Sequence, residues 1–194
     1  MNRWQDKLAV VTGASSGMGA AIVRDLIKSN IIVIGLARRL NLMEEIRLSL
    51  PNEKQTRFHP IQCDVTNESD VQKSFEWIVE NLGPVNILIN NAGILRNGNL
   101  VTMSSSAVQE TINTNVIGVT YCTREAFKNM KDGHVIVVSS IAGKRIPNLG
   151  KEVPSVNIYS PTKFAVSAIA EIYSQEFHNL DTNIKITVSQ LLFA

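Results

Sequence analysis

A phenol and an amine four positions apart, in Tyr159-Ser160-Pro161-Thr162-Lys163, have the clearest chemical potential in this chain. Residues i and i+4 share one face of a helix, so the spacing predicts that both side chains enter the same space. An ammonium beside a phenol favours the phenolate and predicts a lowered tyrosine pKa, suited to passing a proton to or from a substrate oxygen. The same spacing arises by chance in ordinary helices, so its weight depends on its surroundings. Upstream, Ser139 and Ser140 end an apolar run in Val137-Val138-Ser139-Ser140-Ile141-Ala142-Gly143. Hydroxyls at a strand end either satisfy local backbone or meet a reacting group. Near the N-terminus, Leu8-Ala9-Val10-Val11 leads into Thr12-Gly13-Ala14-Ser15-Ser16-Gly17-Met18-Gly19. Glycines there permit a tight turn and a close backbone approach, and the amides of a following helix suit a phosphate. Ser15 and Ser16 could add hydroxyl donors. A purely structural turn is the alternative, and a P-loop is excluded because no Gly-Lys-Ser/Thr follows.

These residues need a scaffold, and the hydrophobic pattern supplies one. Strand-length apolar runs occur at Leu8–Thr12, Ile31–Leu36, Phe58–Cys63, Val85–Ile89, His134–Val138 and Ile184–Val188. Ile31–Leu36 is continuous rather than alternating in its apolarity, as expected of a parallel strand covered on both faces. Helical stretches lie between them at Ala20–Lys28, Leu42–Leu50, Ser69–Leu82, Ser106–Met130 and Val156–Leu180. Such alternation with right-handed crossovers predicts an α/β fold, an open doubly wound parallel sheet with helices on both faces. The longest irregular piece is Gly143–Ser155, and no linker or repeat interrupts the chain, so residues 1–194 read as one domain.

Composition narrows the function class. A hydrophobic fraction of 44% with 19% charged residues suits an ordinary globular protein, and a net charge of +2 without a basic face excludes nucleic acid as a partner. No apolar run reaches membrane-spanning length, and the polar start Met1–Lys7 lacks a signal-peptide core, so a cytoplasmic address without membrane insertion is expected. Cys63 and Cys122 predict buried reduced thiols. His59, His134 and His178 are scattered, so no metal site is expected.

The glycine spacing of Thr12–Gly19 resembles TGxxxGxG of the short-chain dehydrogenase/reductase family, and the resemblance runs from Asp6 to Ser189. It implies a Rossmann-type dinucleotide domain and a nicotinamide-dependent oxidoreductase. In the cofactor region the implied contacts are Gly13, Ser15, Ser16, Gly17, Met18 and Gly19. After the second strand stands Ala37-Arg38-Arg39 with no carboxylate for ribose hydroxyls, so Arg38, helped by Arg39, is expected to pair with a 2′-phosphate, making the cofactor NADP(H). Asp64 and Val65 match the adenine-binding step, although Asp64 could also cap the helix beginning near Glu68. Asn90-Asn91-Ala92-Gly93 matches the family's NNAG segment, implying that Asn91, Ala92 and Gly93 line the cleft.

Four residues carry the implied chemistry. Tyr159 would pass the proton, and Lys163 would tune it and hold the ribose. Ser140, followed by two residues and a glycine, would bond the reacting oxygen, a register that selects it over Ser139. Asn115, in Thr114-Asn115-Val116-Ile117-Gly118, matches the helix asparagine that helps position Lys163 and a relay water. Arg3–Gly13, Gly35–Arg38 and Cys122–Ala126 resemble the branch holding insect farnesol dehydrogenase-like proteins and vertebrate NADP-dependent hydroxysteroid dehydrogenases. That branch implies a small alcohol or ketone on an isoprenoid- or steroid-like skeleton, and a homo-oligomer packed through the two long helices. The stretch between Ser140 and Tyr159 is a few residues longer than usual, which would reshape one wall of the pocket. The ending Ile186–Ala194 departs from the family, whose Pro-Gly step and lid it lacks, and predicts a fold incomplete at its C-terminus. A catalytically silent nucleotide-binding product is therefore the second reading beside the enzyme.

Overall fold

The structure is a computed structural model, which describes residues 2–150 and 155–191. In chain order, β1 (Leu8–Thr12) leads into α1 (Gly17–Lys28), β2 (Ile32–Ala37), α2 (Leu40–Leu48) and the one-turn α3 (Asn52–Gln55). Then come β3 (Phe58–Gln62), α4 (Glu68–Leu82), β4 (Ile87–Asn90), α5 (Ser105–Ile112), a π-helical turn (Asn113–Ile117) and α6 (Gly118–Asn129). β5 (Asp132–Ser140), a 3₁₀ turn (Ile141–Gly143), α7 (Tyr159–Asn179) and β6 (Asn183–Leu191) complete the described elements. The described strands form one sheet in the order β3-β2-β1-β4-β5-β6, every neighbouring pair parallel. This is a Rossmann-like α/β sheet.

Side chains alternate across each strand, so the sheet feeds two cores. Leu8, Val10, Ile34, Leu36, Leu88 and Val135 pack on one face against α4, α6 and α7, around Phe75, Ile78, Cys122, Ala126, Val166 and Phe177. Ala9, Val11, Val33, Ile87 and Ile89 pack on the other against Val23, Ile27, Met43 and Ile46 of α1 and α2. All five residues of β1 are buried, which explains its unbroken apolar run. Cys63 and Cys122 are free thiols within the first core. Strand order reverses direction between β1 and β4, and the crevice beyond their C-terminal ends is where open α/β sheets bind ligands.

The structure departs from the sequence-based reading in places. The helix expected over Ser106–Met130 is interrupted by the π-helical turn, which shifts its phase at Asn115. The cap of α4 is Asn67, whose Oδ1 accepts from the amides of Ser69 (3.0 Å) and Asp70 (3.4 Å). Asp64 does not cap it; its carboxylate accepts instead from the amide and hydroxyl of Thr66. β5 and β6 pair over nine positions, well beyond His134–Val138 and Ile184–Val188, because polar residues such as Ser139, Ser140 and Gln190 continue the ladder. Within the irregular segment expected at Gly143–Ser155, residues 151–154 lie outside the described residues, as do 192–194 of the expected departure at the C-terminus. Among the described residues no helix is long and apolar enough to cross a membrane.

Candidate active site

The turn between β1 and α1 is held by backbone close to backbone. Gly13 has φ +67 and Gly17 φ +53, the left-handed region that favours glycine. A Cβ on Gly19 would stand 2.2 Å from the Gly13 carbonyl oxygen, so only glycine lets α1 come this near. Above Gly17 a Cβ would meet nothing within 4 Å, leaving open space at the helix start. Ser16 precedes the helix in extended conformation, and its hydroxyl makes no cap bond. It and the Ser15 hydroxyl instead receive hydrogen bonds from the Arg39 guanidinium, at 2.7 and 3.1 Å.

A cleft of ≈ 270 Å³ runs from this turn across the ends of β1, β2 and β4. Gly13, Ser15, Ser16, Met18 and Gly19 form its floor, and Arg38 and Arg39 stand at the side next to β2. Asp64 and Val65 line it after β3, and Asn91, Ala92 and Gly93 after β4. Gly17 is not among its lining residues; it contributes the bend. The arrangement fits a dinucleotide: donors and a helix start surround open space at the turn, two guanidinium groups lie beside it, and it is continuous with a second cavity at its far end.

Asn91 and Thr12 join β4 to the glycine turn. The Thr12 hydroxyl accepts from the amides of Asn91 and Ala92 at 3.0 and 2.9 Å, and Asn91 Nδ2 donates to the Thr12 carbonyl at 2.9 Å. Asn91 Oδ1 is buried with no protein partner among the described residues, although Asn91 lines both cavities. Asn90 reaches the other way, donating to Thr123 of α6 at 3.0 Å.

The second cavity, of ≈ 110 Å³, holds Ser140, Tyr159 and Lys163, and shares Met18, Asn91, Gly93 and Ile94 with the cleft. Ser139 and Ser140 divide their work. Ser139 donates to the Lys163 carbonyl at 3.2 Å, buried between β5 and α7. Ser140 starts the 3₁₀ turn, accepting from the Ala142 amide at 3.2 Å, and lines the same cavity as the Tyr159 phenol. Lys163 is buried, its Nζ donating to the Val138 carbonyl at 2.9 Å and lying 5.5 Å from the centre of the Tyr159 ring.

The electrostatics differ from the expectation for an isolated Tyr–Lys pair. Burial pushes the Tyr159 pKa up, and the nearby Ser140 hydroxyl pulls it down less strongly. Burial also lowers Lys163 from 10.5 to about 8. Desolvation of both groups outweighs their mutual effect, so the expected fall in the tyrosine pKa is not found in the protein alone.

Asn115 lines neither cavity and does not bond Lys163. From the π-helical turn its Oδ1 accepts from the Ile94 amide at 2.8 Å, and its Nδ2 donates to the Ile94 carbonyl at 2.9 Å and to Thr162 Oγ1 at 3.1 Å. It pins the segment after β4 to the helix turn carrying Lys163. Thr12 opens the glycine motif, but its bonds to Asn91 and Ala92, the bond of Thr162 to Asn115 and the place of Leu191 in the cavity carry no local signal, because each joins segments distant along the chain.

Known proteins resemble this chain throughout. The family model for short chain dehydrogenase matches residues 7–191. A farnesol dehydrogenase of Aedes aegypti is 41% identical over 192 residues, which is 96% of this chain and 77% of that protein. Dehydrogenase/reductase SDR family member 11 of Homo sapiens is 38% identical over 193 residues, 96% of this chain and 73% of that one. Among solved structures, a short chain dehydrogenase/reductase from Burkholderia phymatum in complex with NAD superposes with TM-score 0.91 at 25% identity, over 100% of this chain and 68% of that one. An alcohol dehydrogenase from Thermococcus sibiricus, complexed with 5-hydroxy-NADP, gives TM-score 0.86 at 25% identity over 96% and 76%.

Proposed function

This chain belongs to the short-chain dehydrogenase/reductase family of oxidoreductases, and we propose that it interconverts an alcohol and a carbonyl on a small apolar substrate with NADP(H), residues 1–194 acting as one dinucleotide-binding domain. One observation carries this reading: the cavity with Ser140, Tyr159 and Lys163 opens onto the cleft at the glycine turn through shared walls.

Preference for NADP(H) over NAD(H) rests on charge. Arg38 and Arg39 follow the end of β2, where no carboxylate stands, and Arg39 already bridges both serine hydroxyls. A forked guanidinium held there suits a phosphate monoester. Asp64 and Val65 would border the adenine, and Asn91, Ala92 and Gly93 the path towards the second cavity.

A nicotinamide bound in the cleft would supply hydride transfer. The residues of the chain would orient the substrate and handle the proton. Ser140 Oγ would bond the substrate oxygen, and Tyr159 Oη would donate a proton to a carbonyl or remove one from an alcohol. The buried Lys163 amine, held by the Val138 carbonyl, would support the phenolate once a proton has left. Asn115 would keep the Ile94 segment and Thr162 in register with that pair. Met18, Ile94, Leu95, Val138 and Leu191 give the cavity an apolar wall, which favours an isoprenoid- or steroid-like skeleton and accords with the name of the Aedes aegypti relative. Phe164 and Ile172, exposed on α7, favour self-association.

The test uses farnesol oxidation and NADPH fluorescence titration. Wild type should turn over farnesol with NADP far better than with NAD. Tyr159→Phe should lose roughly 10²–10⁴-fold in kcat while binding NADPH as before. If NADPH affinity falls together with kcat, Tyr159 is not the proton-transfer group.

A further inference from the structure

A residue outside the catalytic set ties the reaction cavity together. Asn157 lies two positions before Tyr159, with its side chain 7% exposed. Its Nδ2 donates to two backbone carbonyls of the segment after β4, Arg96 at 2.7 Å and Gly98 at 2.9 Å. Its Oδ1 accepts from the backbone amide of Tyr159 at 3.2 Å, satisfying a donor at the first residue of α7. Both donors and the oxygen of one amide are therefore used across about sixty residues of chain, and nothing smaller could reproduce it. Asn157 also sits at φ +38, in the left-handed region that asparagine tolerates better than other side chains with a Cβ. Next to it, the Ser155 amide donates to Asn99 Oδ1 at 3.1 Å, a second stitch between the same two segments.

This clamp and the Asn115 clamp grip the same segment after β4. Asn115 fixes Ile94 to Thr162, and Asn157 fixes Arg96 and Gly98 to Tyr159. Ile94 and Leu95, which wall the cavity, are caught between the two. The strained backbone and the buried amide thus meet where the phenol enters the site, which is where proteins store local strain.

We propose that Asn157 is a positioning residue, locking the first turn of α7, and with it the Tyr159 phenol, to the Ile94–Gly98 wall of the reaction cavity. The inference rests on the proposed role of Tyr159. Two substitutions separate its parts. Asn157→Asp keeps the acceptor for the Tyr159 amide but replaces the donor with an oxygen facing two carbonyl oxygens. Asn157→Gly accommodates the positive φ while removing all three side-chain hydrogen bonds.

For farnesol oxidation with NADP, both variants should lose roughly ten- to hundredfold in kcat, with the KM for NADP within about twofold of wild type, because a displacement on the ångström scale is costly only at the reacting groups. Tyr159 can be followed without turnover by ultraviolet phenolate absorbance, taken as the difference from Tyr159→Phe. Its midpoint should move upward in both variants as the phenol drifts from the Ser140 hydroxyl, which lowers it. If kcat per folded molecule and the phenol midpoint both stay at the wild-type values, the positioning role is overturned; NADPH affinity falling in step with kcat overturns it as well. Wild type inactive on farnesol would count against the substrate reading alone, since the phenol midpoint still decides the clamp.

Discussion

Around β1 and α1 the cleft is shaped by consecutive residues packed backbone to backbone, with Gly13 and Gly19 almost touching. Around β5 and α7 the reaction cavity is assembled from distant segments by side chains: Ser139 to the Lys163 carbonyl, Lys163 to Val138, Asn115 to Ile94 and Thr162. Under the proposed function the first region holds a long anionic ligand whose shape hardly changes during reaction, and fixed amides beside open space serve that purpose. The second must place individual protons to within fractions of an ångström, which requires groups that can be aimed separately. The two regions should therefore fail differently. Deleting a hydroxyl should matter most in the second, and adding a methyl most in the first.

Ser140→Ala gives the largest expected contrast. Removing the donor that would face the substrate oxygen should cost roughly 10²–10³ in kcat, about 3–4 kcal/mol, with NADPH titration unchanged. The Tyr159 phenol should also titrate higher, since the hydroxyl that lowers it is gone. Ser139→Ala, which touches only the Lys163 carbonyl, should show a much smaller kinetic effect. Equal effects would erase the distinction between the two serines.

Next comes Lys163, through pH. Its folded pKa is depressed from 10.5 to about 8 by burial. Below about pH 8 the amine is charged in both native and unfolded chains, and the full cost of burying an ammonium is present. Between about 8 and 10.5 the native amine sheds its proton first, the unfolded chain binds more protons, and stability rises with pH. At about 1.4 kcal/mol per pH unit the gain is on the order of 3 kcal/mol. Urea unfolding of wild type and Lys163→Met across this window should show the rise in the difference between the two. The buried thiols Cys63 and Cys122, whose pKa values burial raises from 9.0, lower the stability of both proteins alike as pH climbs. Parallel curves would mean that Lys163 is not desolvated as its burial indicates.

Gly19→Ala sharpens the other side of the comparison. The new methyl would meet the Gly13 carbonyl far inside contact distance, so α1 must move away from the turn. A loss of about 1–3 kcal/mol in stability is expected, with a fall in NADPH affinity and little further loss in kcat once cofactor saturates. Unaltered NADPH affinity would show that the cleft does not depend on that close approach.

The same contrast governs how much could be read from sequence. The turn at Thr12–Gly19 was legible because its physics is local: glycines, a strand and a helix start lie in one uninterrupted stretch. Arg38 and Arg39 were legible for the same reason, though only the structure shows Arg39 holding both serines. Tyr159 and Lys163 were visible as a helical pair, but the expected drop in the phenol pKa was not, because burial depends on packing that no spacing encodes. The π-helical turn at Asn113–Ile117 adds one residue to a turn without altering composition, so periodicity runs through it. Asn157 was invisible: it lies just after a Pro- and Gly-containing stretch, and its partners Arg96 and Gly98 become neighbours only when β4 and β5 pair.

The smallest effect concerns Asn67, where sequence suggested Asp64 as a possible cap of α4. Asn67 Oδ1 accepts from two amides that otherwise have no intrahelical partner, at an exposed helix start remote from Tyr159. Asn67→Ala should lower stability by about 1 kcal/mol in urea unfolding and leave kcat and NADPH titration alone. Asp64→Ala should do the reverse. It leaves the α4 cap intact but removes the acceptor for Thr66 at the edge of the cleft, so its effect should appear in NADPH affinity. A stability loss from Asp64→Ala larger than that from Asn67→Ala would return the cap to Asp64 and take it away from the cofactor.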